Sequence, residues 1–97
     1  MLNSKQRSYL KSKASVMDPI FQIGKQSVTT ENIEAIREAI DKRELIKLSV
    51  LENCIDDPRE IASVIAERTQ SEVVIVIGKK IVLFKQKKKD SAYTLPR

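Results

Sequence analysis

The chain has no histidine, no tryptophan and a single cysteine, Cys54. Without an imidazole there is no histidine-dependent triad, and one thiol alone cannot build a Cys/His zinc site. Cys54 has no internal disulfide partner and reads as a reduced, structural or incidental thiol in a cytoplasmic protein. Aromatics number four, two Phe and two Tyr, so stacking platforms for bases are scarce and sequence-specific readout is expected to be weak. No apolar run approaches the roughly 20 residues of a membrane-crossing helix, and the N-terminus lacks an apolar secretory core. Carboxylates are plentiful, but most fall on predicted helix faces, where solvation is their usual fate. At 97 residues there is little room for an enclosed active site. The composition argues against an enzyme and gives no reason to expect a metal, a cofactor or a membrane partner.

What is present is a folded chain with segregated charge. Hydrophobic residues make up 41%, enough for a modest core in one domain over 1–97. The net charge is +5, unevenly laid out. Residues 1–30 set Lys5, Arg7, Lys11, Lys13 and Lys25 against Asp18, whereas residues 31–72 hold eleven acids and six bases. From 73 onward there are seven bases against Asp90. Basic ends and an acidic middle fit a positive face that attracts phosphates, although scattered solvated lysines would give the same count.

The stretch Ile20 to Thr30 organises the rest. Phe21 and Ile23 alternate with Gln22, as in a short strand. Gly24 ends it, where its backbone freedom and lack of a side chain are expected to matter. Thr29 or Thr30 then caps a helix over about 31–42, whose apolar face is Ile33, Ile36 and Ile40. Gly24, Lys25, Gln26 and Ser27 thus form a loop before a helix N-terminus, a setting that suits anions. An ordinary strand-to-helix turn with a solvated Lys25 is the plain alternative.

The other elements follow in order. Residues 3–13 read as a first helix, capped by Asn3 or Ser4. It has no acid before Asp18, so Lys5, Arg7 and Lys11 are expected to make a cationic ridge. Leu45 to Val50 alternates as a second strand. Asp57-Pro58-Arg59-Glu60 is a strong helix start, with Ile61, Val64, Ile65 and Arg68 giving the periodicity. Val73 to Ile77 is a β-branched run, expected to be a buried central strand. Gly78-Lys79 turns it into Ile81–Phe84 as a hairpin. The lysine-rich stretch from Lys85 to Asp90, opening a basic tail of about 86–97, is expected to project into solvent. The order α-β-α-β-α-β-β implies an α/β fold with one mixed four-stranded sheet covered by helices.

That order, with the segments Ser4-Lys5-Gln6-Arg7, Ile23-Gly24, Val28-Thr29, Glu44-Leu45-Ile46-Lys47, Val76-Ile77-Gly78-Lys79 and Leu95-Pro96-Arg97, resembles the CRM-domain family. The likeness is to its small stand-alone bacterial, YhbY-like members, and it spans essentially the whole chain. It implies an RNA-binding domain similar in fold to the C-terminal domain of a bacterial translation initiation factor. It also implies association with precursors of the large ribosomal subunit. The family's loop is Gly-x-x-Gly, comparable to the backbone clamp of KH domains. Gly24, Lys25 and Gln26 match its first three positions, and Ser27 stands at the fourth.

The leading expectation is therefore a non-enzymatic, monomeric RNA-binding protein, with ribosomal RNA rather than DNA as partner. Lys5, Arg7, Lys11, Gly24, Lys25, Gln26 and Ser27 would contact the RNA. A different reading is an adaptor whose acidic middle, including Glu31, Glu34, Glu38 and Asp41, docks a basic ribosomal protein. A binder or enzyme of phosphorylated metabolites at the second helix ranks last.

Overall fold

Each helix begins on a side chain that takes up a free backbone N–H. Asn3 accepts from the Gln6 amide and Gln6 returns the bond to the Asn3 amide, a reciprocal cap for α1 (Ser4–Ala14). Thr29 and Asn32 do the same for α2 (Thr30–Arg43). Asp57 accepts from the Arg59 amide at 2.8 Å and Pro58 opens α3 (Pro58–Thr69). The strands are β1 (Phe21–Ile23), β2 (Leu45–Val50), β3 (Glu72–Ile77) and β4 (Lys80–Phe84). These come from a computed structural model that describes residues 2–96. Arg97, which closes the Leu95-Pro96-Arg97 segment, lies outside that range.

The four strands form one mixed sheet in the order β1-β2-β4-β3. β1 pairs parallel with β2, and β4 runs antiparallel between β2 and β3. Gly78, at φ +56, supplies the left-handed residue of the two-residue turn between Ile77 and Lys80. The pairing puts β3 at an edge, which corrects the expectation that the Val73–Ile77 run is central. Its apolar residues have other partners: α3 packs against one of its faces and α1 against the other, and only Val74 is fully buried.

The core has two layers. On one face of the sheet, Ile33, Ile36 and Ile40 of α2 and Ile61 and Ile65 of α3 meet Ile23, Ile46, Leu48, Val50, Ile81 and Leu83. On the other face, Leu2, Leu10 and Ala14 meet Leu45, Val74, Val82 and Phe84. α3 is rotated from the expected periodicity. Ala62, Ala66 and Thr69 point inward with Ile61 and Ile65, leaving Val64 and Arg68 exposed. Small alanines let α3 lie close to the sheet, and the larger Val64 falls on the flank.

The lysine run from Gln86 to Asp90 is exposed, as expected, but the tail beyond it is not free. It folds back beside α1, with Tyr93 edge-on to Phe84 at a centroid distance of 5.8 Å and Leu95 against the same cluster. Gln6 donates to the Pro96 carbonyl at 3.1 Å. The anchor is Glu44, fully buried at the end of α2. Its carboxylate accepts from the Ser91 hydroxyl (2.5 Å) and from the Ala92 (2.7 Å) and Lys87 (3.2 Å) amides. Glu44 holds φ +66, a costly angle for a side-chain-bearing residue. Burial pushes its carboxyl up, but these hydrogen bonds and the Lys87 charge outweigh it and hold the pKa below the ordinary 4.5. Burial, followed by the charges of Glu44 and Tyr9, pushes the Tyr93 hydroxyl above its usual 10.0.

Two outcomes follow from these contacts. Asp57→Ala is expected to cost about 0.5–2 kcal/mol by loss of the α3 cap, read as a lower denaturation midpoint. Because folding lowers the Glu44 pKa, its contribution is complete above 4.5 and drains as pH falls through the folded value. Acidification should therefore free the tail before the sheet melts, seen by NMR as loss of Tyr93–Phe84 contacts while β2–β4 amides stay protected. Simultaneous loss of both would remove Glu44 from this role.

Candidate nucleic-acid interface

The loop after β1 is a tight turn. The Ser27 amide donates to the Gly24 carbonyl at 2.9 Å, leaving Lys25 and Gln26 exposed at the tip. The left-handed residue is Ser27, at φ +56. Gly24 lies outside that region, and a Cβ on it would meet Leu51 Cδ1 at 3.5 Å and Asn53 Oδ1 at 3.6 Å, ordinary contact distances. The conformational demand expected at Gly24 therefore sits at the fourth loop position. The helix end behind the loop is less open to anions than its position suggests. The Asn32 amide is taken by the Thr29 hydroxyl, the Ile33 amide by the Thr29 carbonyl, and Glu31 lines the same concavity as Lys25. Lys25 is the loop's cation.

The basic residues of α1 do not form one ridge. Arg7 and Lys11, four positions apart, share a flank, while Lys5 is about 200° around the helix from Arg7. The Arg7 guanidinium donates to the Val73 and Val74 carbonyls at 2.6 and 3.0 Å, where β3 shifts register. That is the sheet edge farthest from the loop, so Arg7 first tethers α1. Lys11 is exposed and rims the gap between α1 and the sheet. The structure thus gathers Gly24 to Ser27 at one end of the sheet, turns Lys11 toward the uncovered part of it, and leaves Lys5 and Arg7 apart.

A cross-strand row joins the loop to Lys11. Gln22 pairs with Ser49, Ser49 with Lys80 and Lys80 with Ile77, one residue from each strand. Facing partners share a face of the sheet, here the α1 side. Gln22 belongs to the concavity around Lys25, and Ile77 and Lys80 line the groove that Lys11 rims. Lys80 donates to the Ser49 hydroxyl at 2.9 Å. One step away, Lys47 donates to the Ala14 and Met17 carbonyls at 3.4 and 3.3 Å, closing the end of α1. The sequence reading missed Gln22, Lys47, Ser49, Ile77 and Lys80. The signal was the alternation of β2, which puts Lys47 and Ser49 on the α1 face, Lys47 part-exposed and Ser49 buried under Lys80.

The profile of the CRS1/YhbY (CRM) domain matches residues 2–85. The chain belongs to the CRS1/YhbY (CRM) domain family. It is 44% identical over 96 residues to "Probable RNA-binding protein YqeI" of Bacillus subtilis (strain 168), covering 99% of this chain and all of that one. It is 31% identical over 86 residues to "Probable RNA-binding protein MJ0652" of Methanocaldococcus jannaschii, spanning 87% of this chain and 63% of that longer protein. The solution structure of the hypothetical protein SAV1595 from Staphylococcus aureus superposes with a TM-score of 0.85 at 45% identity, covering 99% of this chain and 100% of that chain. The mixed four-stranded sheet with three helices is the CRM architecture that the sequence resemblance implied.

Within the CRM loop, the left-handed fourth position gives a physical reason for glycine there and a cost for Ser27. Ser27→Gly is expected to stabilise the domain by about 1 kcal/mol through relief of the left-handed angle, read as a higher thermal midpoint. Gly24→Ala should shift the midpoint little. The opposite ranking would return the conformational demand to Gly24.

Proposed function

We propose that this CRM protein is a non-enzymatic factor that binds ribosomal RNA during assembly of the large ribosomal subunit, as a monomer in the cytoplasm. The observation that carries the reading is the sorting of charge across the sheet. The α1 layer bears Lys5, Arg7, Lys11 and Lys13 with no acid in the helix, and Lys47 and Lys80 lie on the sheet face beneath it. Glu31, Glu34, Glu38, Asp41, Glu60 and Glu67 sit on α2 and α3 behind the opposite face together with Arg37, Lys42, Arg43, Arg59 and Arg68, so that layer is close to neutral while α1 carries bases alone. Relatives named as RNA-binding proteins support the same partner. RNA would be held by phosphate capture: Lys25 at the loop tip with Gly24, Gln26 and Ser27 around it, and Lys11 across the sheet. Lys5 and Arg7 add charge from the flanks.

A second reading rests on a separate surface. Behind the loop, Val28, Ile61 and the half-exposed Val64 line a concavity with Asp56 and Glu60. Acids around apolar side chains suit a basic protein segment, which is the adaptor role.

Salt dependence separates the two. Lys25→Ala is expected to weaken RNA binding without unfolding the domain and to flatten the slope of log affinity against log salt by roughly 0.7, one lost contact on a single strand. An unchanged slope would move the RNA site off the loop. For the biology, the protein should sediment with precursors of the large subunit, and its absence from those fractions would reject the assembly role.

A further inference from the structure

We infer that the groove between α1 and the sheet receives one unstacked base of a single-stranded RNA, whose backbone reaches it from the loop past the exposed Gln22 and Lys80, which flank the buried Ser49. This inference rests on the RNA-binding reading and names the form of RNA that the site takes.

The groove holds about 260 Å³. That is just below the roughly 300–1,000 Å³ of a site for a drug-sized ligand, so it suits a single flat ring system better than a whole nucleotide cofactor. Its floor is aliphatic, made by Ile75, Ile77 and Val82, and its rim carries Lys11, Lys47 and Lys80. Among the described residues that line it there is no carboxylate. The lysines are held in place from below. Lys80 is tied to Ser49 and Lys47 to the end of α1, and after those bonds each ammonium keeps donors for a phosphate. Ile77 is 52% exposed, although a strand position facing a helix layer would ordinarily be covered. An apolar floor inside a ring of cations matches a ligand with a flat apolar face and flanking negative charge, which describes a base between two phosphates.

The aromatics do not compete for this role. Tyr9, Phe84 and Tyr93 pack in the cluster at the other end of α1, and Phe21 packs on the α2–α3 side. The surface left for a base is therefore aliphatic and reads no base edge, so the groove discriminates single strands from duplexes rather than one sequence from another. A base paired in a duplex cannot enter it without being unstacked.

The test uses the full chain, a fluorescein-labelled oligoadenylate and an RNA duplex of the same length. The single strand is expected to bind more tightly than the duplex. Ile77→Ser should weaken the single strand by about fivefold, the loss expected when the exposed half of an isoleucine side chain is no longer covered by the base. The slope against log salt should not change, because no charge is lost. The thermal midpoint should also hold, since Ile77 is half exposed. A 2-aminopurine placed in the strand should report transfer of one base into the groove, and Ile77→Ser should abolish that signal. Equal binding of strand and duplex, or an Ile77→Ser variant that binds like the unmutated chain, overturns the groove and leaves RNA binding by loop and helix standing. So does an acidic, apolar peptide that binds in an Ile77-dependent way while RNA does not. If neither RNA binds while the domain is folded, the RNA reading fails and this inference with it.

Discussion

A four-stranded sheet has two faces to cover, and this chain has helices of 11, 14 and 12 residues to cover them. α2 and α3 take one face and close it with an isoleucine-rich layer. α1 is left alone on the other. At 1.5 Å per residue it is about 16 Å long, and the sheet beneath it is itself about 14 Å wide between outer strand axes. A helix of that size crosses the sheet once and leaves ground on both sides. The rest of the molecule is arranged around that shortage.

At one end the shortage is met by the tail. Leu95 and Tyr93 extend the apolar layer that α1 begins, and Glu44 fixes the return. A buried carboxylate is costly unless its lone pairs are used, and here three donors from one short segment use them. The arrangement also explains why Glu44 tolerates a positive φ: it closes α2, starts the turn into β2 and aims its side chain back over the tail in one residue. At the other end no helix covers the sheet, and the Lys80 side chain lies over the buried Ser49. Gln22, Ser49 and Lys80 are polar there, and Ile77 is apolar and half bare.

Much of the fold was legible because local and global signals agree. The caps at Asn3, Thr29 and Asp57, the isoleucine spacing of α2 and the Gly78-Lys79 turn each act over a few residues. The misreadings involve choices that only tertiary contacts make. A β-branched run says that both faces of a strand are covered. It does not say whether a strand pairs on both sides, and α1 and α3 cover β3 at the edge. The lysine run is exposed as its composition implies, but the return of Ser91 to Leu95 is set by Glu44, some forty positions away. In the site, the Gly24–Ser27 loop was visible as a motif, but which residue turns left-handed was not. Spacing alone could have separated Lys5 from Arg7. It could not have shown that the Arg7 guanidinium is spent on the carbonyls of β3.

The sorting of charge matters more for recognition than the net value of +5. The molecule measures 38 × 24 × 22 Å, and at physiological salt the screening length is about 8 Å. Carboxylates on α2 and α3 are largely offset by Arg37, Lys42, Arg43, Arg59 and Arg68 on the same helices, and the sheet stands between them and a phosphate placed on the α1 side. The exception is Glu31, which shares the concavity of Lys25. A phosphate at the loop meets an attraction and a repulsion at similar range. A phosphate at Lys80 and Lys11 meets no carboxylate among the described residues that line the groove. Under the proposed RNA reading, this balance would have the loop orient the strand while the Lys80 and Lys11 end of the sheet supplies the larger share of the attraction. A shortage of helix on one face thus becomes the surface at which the charge of the protein is felt.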